Sequence, residues 1–332
     1  MSINRRVLLL TIIIVAASIA SVKLSTSLFS RPLNRLLTPR IIRSASTMAA
    51  SSANSASPSL KFEVRKSSDR GNADHGWLKT FHTFSFADYY SPKFQSYGPL
   101  RVINEDRVAP TTGFPTHRHR EFEIFSYILN GELTHRDSMN NVETLTRGDV
   151  QYTSAGTGIA HSEYNDNNAK EVHFLQIWAK PGVSGLNPNY YTRHHPSESK
   201  RDKLVPIISP IETFPADATF AKEGKNEPIP IHQDMRFYAS ILSPGNSVGY
   251  TFQGEGSRLG YVHLAQMSGY NPAKTTAGAK LLVGGTEIRE GDGIFVNGGK
   301  PADSVTFENV GDIDAEFVWF DMGEHYIPER KV

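Results

Sequence analysis

Short runs of β-branched and aromatic residues, separated by Gly, Asn and Asp, begin at Lys61 and recur to the end of the chain. The run FEIFSYIL ends at Asn130-Gly131. This pair favours a tight hairpin, because both central positions of a type I′ turn need positive φ. Few windows show the 3.6-residue period of an amphipathic helix. The pattern therefore predicts an all-β fold.

A second series of strands follows a break near Lys180. The stretch KPGVSGLNPNYYTRHHPSESKRDK is rich in Pro, Gly and charge, which is typical of a connection that crosses the surface. Beyond it, Gly291-Asp292 precedes GIFVN much as Gly148-Asp149 precedes VQYTS, which indicates two successive β-barrels of one kind. The predicted division is a targeting, anchor or disordered segment at 1–59, a first barrel at 60–185, and a linker with a second barrel at 186–332.

The N-terminal segment contains an apolar run from Val7 to Val22, preceded by two arginines. Its 16 residues are slightly short of a full membrane span, so the run is interpreted as a membrane anchor or as the core of a signal peptide. The Arg- and Ser-rich, acid-free stretch that follows is instead typical of a mitochondrial transit peptide. Translation from Met48 would omit the apolar run and favour a cytoplasmic or nuclear protein. These alternatives stay open.

The N-terminal segment and the rest of the chain also differ in charge. Residues 1–59 hold seven basic side chains and no acidic one, whereas the rest holds 28 Lys and Arg against 34 Asp and Glu, a formal charge of −6. An acidic globular part does not attract nucleic-acid phosphates, so we expect no direct nucleic-acid binding. The absence of cysteine excludes disulfides, thiolate metal sites and a cysteine nucleophile. Metal chemistry would therefore use imidazole and carboxylate.

Two segments place histidines and glutamates at strand spacing. His117 and His119 stand two residues apart, so on a strand both rings leave the same face, and Glu123 has the same parity. Further along, His161 and Glu163 share one face. Three imidazoles and one carboxylate leave open positions on an octahedral ion such as Fe(II), Mn(II), Ni(II) or Cu(II). These residues predict one divalent metal site, and parity alone does not choose between the two glutamates.

The same residues carry a family resemblance. The pattern His-x-His-x3-Glu, then Gly-Asp, then Gly-x2-His-x3-Asn resembles the paired motifs of the cupins. The segments HGWLKTFHTFSFADYY, LRVINEDRV, THRHREFEIFSYILNGELTHRDSMN and SAGTGIAHSEYN resemble the pirin branch, and the likeness runs from about Phe62 through the second barrel. The resemblance implies two tandem cupin barrels of the jelly-roll type, with a metal site in the first barrel only.

The resemblance also implies a ligand set and a metal. The pirin motif assigns the metal to His117, His119, His161 and Glu163. Fe(II) is favoured, with Mn, Ni, Cu or Co as alternatives. In many other cupins the residue at the place of Glu123 is the carboxylate ligand. In a pirin it would lie near the metal or hydrogen-bond to a ligand.

Two positions depart from the family pattern, and several histidines have no predicted role at the metal. Arg118 stands where pirins commonly have Pro, and Glu121 where they have Gly, but neither change removes a ligand. The lone His263 of the second series is expected in the core or at its rim, and His194-His195 are expected to be solvated. Two further histidines lie in strands without a link to the metal, namely His135 and His173.

Two functions of different classes follow from the resemblance. A metal with open positions can bind a substrate oxygen and O2 together. The first function is that of a quercetin 2,3-dioxygenase, with Glu163 as the base that takes the proton of the flavonol 3-hydroxyl. The second is that of a non-catalytic, redox-responsive iron protein that acts as a cofactor of transcription factors through a protein partner. A cupin isomerase, or an oxygenase of another enediol-like substrate, is a third alternative.

Overall fold

The computed structural model of the chain describes residues 56–272, 278–324 and 330–331. Strands dominate it, and the predicted all-β class is confirmed. The helical elements are α1 (Ser197–Lys200) and two 3-10 turns, Ser67–Asp69 and Ile211–Thr213.

The strands are, in chain order, β1 (Lys61–Arg65), β2 (Gly71–Asp74), β3 (Leu78–His82), β4 (Leu100–Val108), β5 (Gly113–His119), β6 (Glu123–Asn130), β7 (Glu132–Asp137), β8 (Val142–Thr146), β9 (Asp149–Ser154), β10 (Ile159–Tyr164), β11 (Val172–Ala179), β12 (Val183–Ser184), β13 (Asn189–His194), β14 (Val205–Pro210), β15 (Glu223–Lys225), β16 (Ile229–Ile231), β17 (Met235–Leu242), β18 (Ser247–Thr251), β19 (Arg258–Leu264), β20 (Lys280–Val283), β21 (Thr286–Arg289), β22 (Gly293–Gly299), β23 (Ser304–Asn309), β24 (Ala315–Gly323) and β25 (Arg330–Lys331).

Each barrel combines a large sheet with a four-stranded one. In the first barrel the strand orders are β15-β13-β9-β6-β11-β4-β3-β2 and β5-β10-β7-β8. In the second they are β1-β22-β19-β24-β17-β14-β16 and β18-β23-β20-β21. The short strands β12 and β25 pair separately. The predicted architecture of two tandem barrels is therefore confirmed.

The large sheets exchange strands between the two halves of the chain. Strand β1 pairs with β22, so that Lys61 lies opposite Asn297. Strand β13 pairs with β9, so that Asn189 lies opposite Ser154. The boundaries of the sheets therefore do not coincide with a division at 185/186, and the domain limits stay a prediction.

The predictions for the N-terminal apolar run and for Met48 lie outside the described residues, which begin at Ala56. Within the described residues, no helix has the length and apolar character that crossing a membrane requires. The last residues of the predicted 1–59 segment contact the second barrel. The backbone N–H of Ser57 donates to the Ser304 carbonyl at 3.0 Å, and the Ser59 hydroxyl donates to Asp303 at 2.9 Å.

A shared apolar core joins the two large sheets. Phe125 of β6 packs against Phe237 of β17, with ring centroids 5.4 Å apart, and Phe237 stacks on Phe320 of β24 at 4.8 Å. All three side chains are buried. Burial of a phenylalanine contributes about 1.5–3 kcal/mol, so this core holds the barrels together as one body.

Strand alternation separates this core from the interior of the first barrel. On β11, Leu175 and Ile177 face the shared core. Their neighbours Phe174, Gln176 and Trp178 have the opposite parity and therefore face the barrel interior. The interior end near Phe174 is apolar, whereas Gln176 and Trp178 border the predicted metal residues.

Candidate metal centre

Three of the predicted ligands lie together where β5 pairs with β10. The antiparallel register sets His117 opposite His161, and His119 lies two residues further along β5. The three ring centroids are 4.6–4.8 Å apart, and the Nε2 atoms of His117 and His161 are 3.1 Å apart. Strand spacing and pairing thus bring the three imidazoles to one point, as the sequence predicts.

The three imidazoles suit a divalent ion in geometry, and two of them, His119 and His161, also suit it in protonation. Two nitrogen ligands about 2.1 Å from one ion and at a right angle to each other lie about 3.0 Å apart. The buried Nε2 of His119 has no hydrogen-bond partner among the described residues. Burial and the neighbouring histidines lower the pKa of His119 to about 4 and that of His161 to about 3. Both rings are therefore neutral at pH 7 and offer lone pairs.

Glu163 lies in a second group that shares His161 with the first. One candidate ligand atom from each of His135, His161 and Glu163 lies within 4.8 Å of the others. The Glu163 carboxylate accepts hydrogen bonds from Ser126 Oγ at 3.0 Å and from Gln176 Nε2 at 2.7 Å. The three histidines form one group and Glu163 adjoins it, so the four-ligand set stays a prediction.

Glu123 faces away from the histidines. Its carboxylate accepts hydrogen bonds from Tyr152 at 2.5 Å and from the backbone N–H of His232 at 3.0 Å, and these bonds lie at the junction of the barrels. The parity argument that set Glu123 on the face of His117 and His119 is wrong, because the turn between β5 and β6 resets the alternation. Glu121 has a φ of 53° in this turn. Glu123 is therefore not bonded to a predicted ligand.

His135 is a neighbour of the site that the sequence reasoning missed. It lies on β7, opposite Glu163 of β10, and its ring is 5.3 Å from that of His161. Its Nε2 is 3.0 Å from Asp137 Oδ2. Burial alone would raise the pKa of Asp137, but hydrogen bonds from Asn141 and His135 lower it. The His-x-Asp spacing within a predicted strand was the available signal.

The four other histidines discussed in the sequence analysis lie either in the core or near the surface. His263 is buried and donates to Glu105 at 2.9 Å, which confirms its predicted place in the core, and His173 donates to the same carboxylate at 3.0 Å. His194 is partly exposed beside Asp149, whereas His195 is fully buried. The prediction that His195 is solvated is wrong, because β13 joins the large sheet of the first barrel.

An aromatic wall stands beside the histidines. Trp178 meets His119 edge to face at 4.8 Å, and Phe86 and Phe122 lie 5.6 Å and 5.4 Å from Trp178. Its indole Nε1 is buried without a partner among the described residues. Arg118, at one of the family departures, is exposed.

The second barrel has no comparable cluster of metal-ligating side chains among its described residues. A cavity of about 640 Å³ does lie against it, and its wall includes Glu212, His232, Asp234 and Glu324. Among the described residues, imidazoles with unpaired nitrogens converge in the first barrel, so the candidate metal centre is assigned to that barrel.

Two tandem barrels with one histidine cluster define the chain as a two-barrel cupin. The sequence profile described as Pirin matches residues 62–179, and the profile described as the quercetinase C-terminal cupin domain matches residues 219–322. The chain belongs to the pirin family.

The alignments with similar proteins include most of the length of those proteins. Quercetin 2,3-dioxygenase of Escherichia coli K12 is 40% identical over 179 residues, which are 54% of this chain and 71% of that protein. A pirin-like protein of Caulobacter vibrioides is 39% identical over 199 residues, which are 60% and 80% of the two chains. The crystal structure of the E. coli bacterial pirin YhhW with nickel(II) superimposes with a TM-score of 0.65 at 31% identity, covering 80% of this chain and 100% of that one. The fold of this chain is therefore shared by the E. coli pirin structure.

Proposed function

We propose that the chain is a metal-dependent dioxygenase that opens the central ring of a flavonol such as quercetin. The observation that carries this proposal is the cluster of three convergent imidazoles, beside a buried carboxylate and an aromatic wall, in a relative of quercetin 2,3-dioxygenase. In this reaction two C–C bonds of the flavonol break. Both atoms of O2 enter the ester product, and the excised carbon leaves as carbon monoxide with its own oxygen.

The ligand set supplies the metal chemistry. His117, His119, His161 and Glu163 would hold one divalent ion, with Fe(II) favoured. When bound, such an ion acidifies a substrate hydroxyl and brings O2 next to the substrate. Nickel in the related E. coli pirin supports a divalent ion here as well.

In this proposal Glu163 would take the proton of the flavonol 3-hydroxyl. Ser126 and Gln176 each donate one hydrogen bond to a different oxygen of its carboxylate. Each oxygen therefore keeps a lone pair for a proton, and the side chain is held in one orientation.

The aromatic wall would bind the substrate rings. The indole of Trp178 offers apolar surface and one unpaired N–H donor, as a polyphenol with ring oxygens requires. Phe86 and Phe122 hold the indole in place from either side.

The test combines metal analysis of the purified full chain with oxygen uptake on addition of quercetin. We expect about one metal per chain after reconstitution with Fe(II), Mn(II) or Ni(II), together with oxygen uptake and release of carbon monoxide. His117→Ala should abolish uptake, whereas His194→Ala, at a partly exposed position, should not.

The outcomes separate the functional classes. Metal without oxygen uptake would contradict the dioxygenase and favour the iron-dependent regulatory protein that acts through a protein partner. Failure to bind any of the three metals would refute the metal centre itself.

A further inference from the structure

A buried Asp–His pair lies directly behind the candidate metal centre. Strand β10 lies between β5 and β7, so His161 has His117 on one side and Asp137 on the other. The side chains of His135 and Asp137 are fully shielded from solvent, and His135 Nε2 is 3.0 Å from Asp137 Oδ2. Asp137 is fixed by the N–H groups of Met139 and Asn141. The carboxylate is thus held in place independently of the histidine.

The pair fixes which nitrogen of His135 carries a proton. An ionised carboxylate only accepts hydrogen bonds, so His135 Nε2 must be the donor. With the hydrogen of the ring on Nε2, the Nδ1 of His135 is an acceptor, and it is buried with no partner among the described residues.

His161 presents the complementary group. Its Nε2 faces His117, where a metal would take the lone pair. The opposite nitrogen, Nδ1, must then carry the hydrogen, and it too is buried without a partner among the described residues. The two rings lie 5.3 Å apart at 68°. An unpaired donor and an unpaired acceptor therefore lie on neighbouring rings.

We propose that Asp137, His135 and His161 form a hydrogen-bonded chain that ends at the metal. His161 Nδ1 donates to His135 Nδ1, directly or through one ordered water, and His135 Nε2 donates to Asp137. The carboxylate makes His161 a stronger electron donor and fixes its tautomer. Asp137 and His135 are positioning residues, and the proposal rests on the metal centre proposed above.

The hydrogen-bonded chain of Asp137, His135 and His161 should matter more for metal binding than for folding. Without a metal, His161 can carry its hydrogen on Nε2, and its Nδ1 and that of His135 would then both be acceptors. Metal binding moves the hydrogen of His161 to Nδ1 and so removes this pairing of two acceptors. Loss of the hydrogen-bonded chain, here called the relay, should therefore reduce affinity for the metal more than it reduces the stability of the metal-free protein.

The first test measures the dissociation constant of Zn(II) or Fe(II) by chelator competition on the full chain. We expect Asp137→Asn and His135→Phe each to weaken binding about 10- to 100-fold. His135→Phe keeps a ring to pack on Tyr190, 4.8 Å away. Asp149→Asn is the matched control, because Asp149 also pairs with a histidine of the first barrel, His194, away from the metal. It should bind as wild type does.

The second test does not depend on the variants folding. Nitrogen-15 NMR of the histidine rings in the Zn(II)-loaded wild type should show His135 protonated on Nε2 and His161 on Nδ1. Coordination of zinc by His135 Nδ1, or protonation at that atom, overturns the relay, as does unchanged affinity in both folded variants. A wild-type protein that binds no metal would instead defeat the proposed function on which the relay rests.

Discussion

At the scale of single residues, the proposed metal centre includes a carboxylate held inside a barrel. Glu163 is buried, and its two oxygens are each bound by one neutral donor, Ser126 or Gln176. Neutral donors orient a carboxylate without neutralising its charge. The side chain can therefore serve both an ion and a substrate proton.

Glu163→Gln tests the role of this charge. The amide keeps the shape and one acceptor but cannot take a proton, so we expect quercetin turnover to fall about 10²- to 10⁴-fold while the three histidines retain metal. Oxygen uptake and metal content measured on the same sample separate the two effects. Glu132→Gln, an exposed glutamate of the same barrel, should leave both unchanged. Full activity in the Glu163 variant would rule out the base.

At the scale of elements, the pairing of β5 with β10 decides whether the histidines meet. Gly113 begins β5 where the two backbones approach closely. A Cβ atom there would overlap the carbonyl oxygen of Glu163 and lie 2.5 Å from the Cα of Tyr164. Glycine at position 113 lets the strands close at this end of their pairing, and a shift of register between His161 and Glu163 separates this contact from the pair of His117 with His161.

Gly113→Ala should push β5 away from β10. We expect a loss of about 1–3 kcal/mol in the free energy of unfolding, from overpacking against backbone, together with weaker metal binding. Urea unfolding of the metal-free protein and chelator competition measure the two effects. Gly249→Ala is the control, because a Cβ at Gly249 of β18 meets nothing within 4 Å. Equal behaviour of the two variants would show that the close approach has no role.

Elements also show which parts of the site could be predicted. The separation of His117 and His119 is a property of one strand, so local periodicity was sufficient to place them on one face. Glu123 could not be placed in this way, because the turn at Glu121 intervenes and its positive φ has no periodic signal. The nearness of His135 to the site was not predicted, because the pairing of its strand with β10 is known only once the sheet is formed.

At the scale of the whole molecule, Glu105 is a buried carboxylate at the junction of the barrels. Glu105 of the first barrel accepts hydrogen bonds from His173, from His263 of the second barrel, and from the backbone N–H of Gln266 at 2.6 Å. Burial alone would raise the pKa of Glu105, but His263 and the hydrogen bonds from both histidines hold it well below its usual range. The charge is therefore retained inside the junction.

Glu105→Gln should destabilise the protein by at least about 3 kcal/mol at pH 7, because hydrogen bonds to a buried charge are replaced by weaker ones. A lowered folded-state pKa contributes stability above the unfolded value of about 4.3, and this stability is lost as the pH falls through the folded pKa. The difference between variant and wild type in urea unfolding should therefore shrink at pH 3. Glu287→Gln, at an exposed ion pair, is the control. An undiminished difference at pH 3 would contradict this origin.

The exchange of β1 into the second barrel was beyond prediction from the sequence. Lys61 pairs with Asn297, and no turn or spacing near either residue encodes a contact across most of the chain. The two-barrel class could be predicted, since each barrel repeats local strand patterns. The assignment of β1 and β13 to sheets depended on packing.

The same pairing sets an order of events during synthesis. Strand β1 leaves the ribosome long before its partner β22 is made, so the sheet that begins with β1 cannot be completed until translation is nearly finished. Until then β1, which carries both apolar and charged side chains, has no partner strand. When β22 emerges, the backbone N–H and C=O groups along its edge are unpaired. A proteolytic cut upstream of Ser57 would keep the contacts that Ser57, Ser59 and Leu60 make with the second barrel. A cut beyond Arg65 would leave an edge that a second chain can pair with.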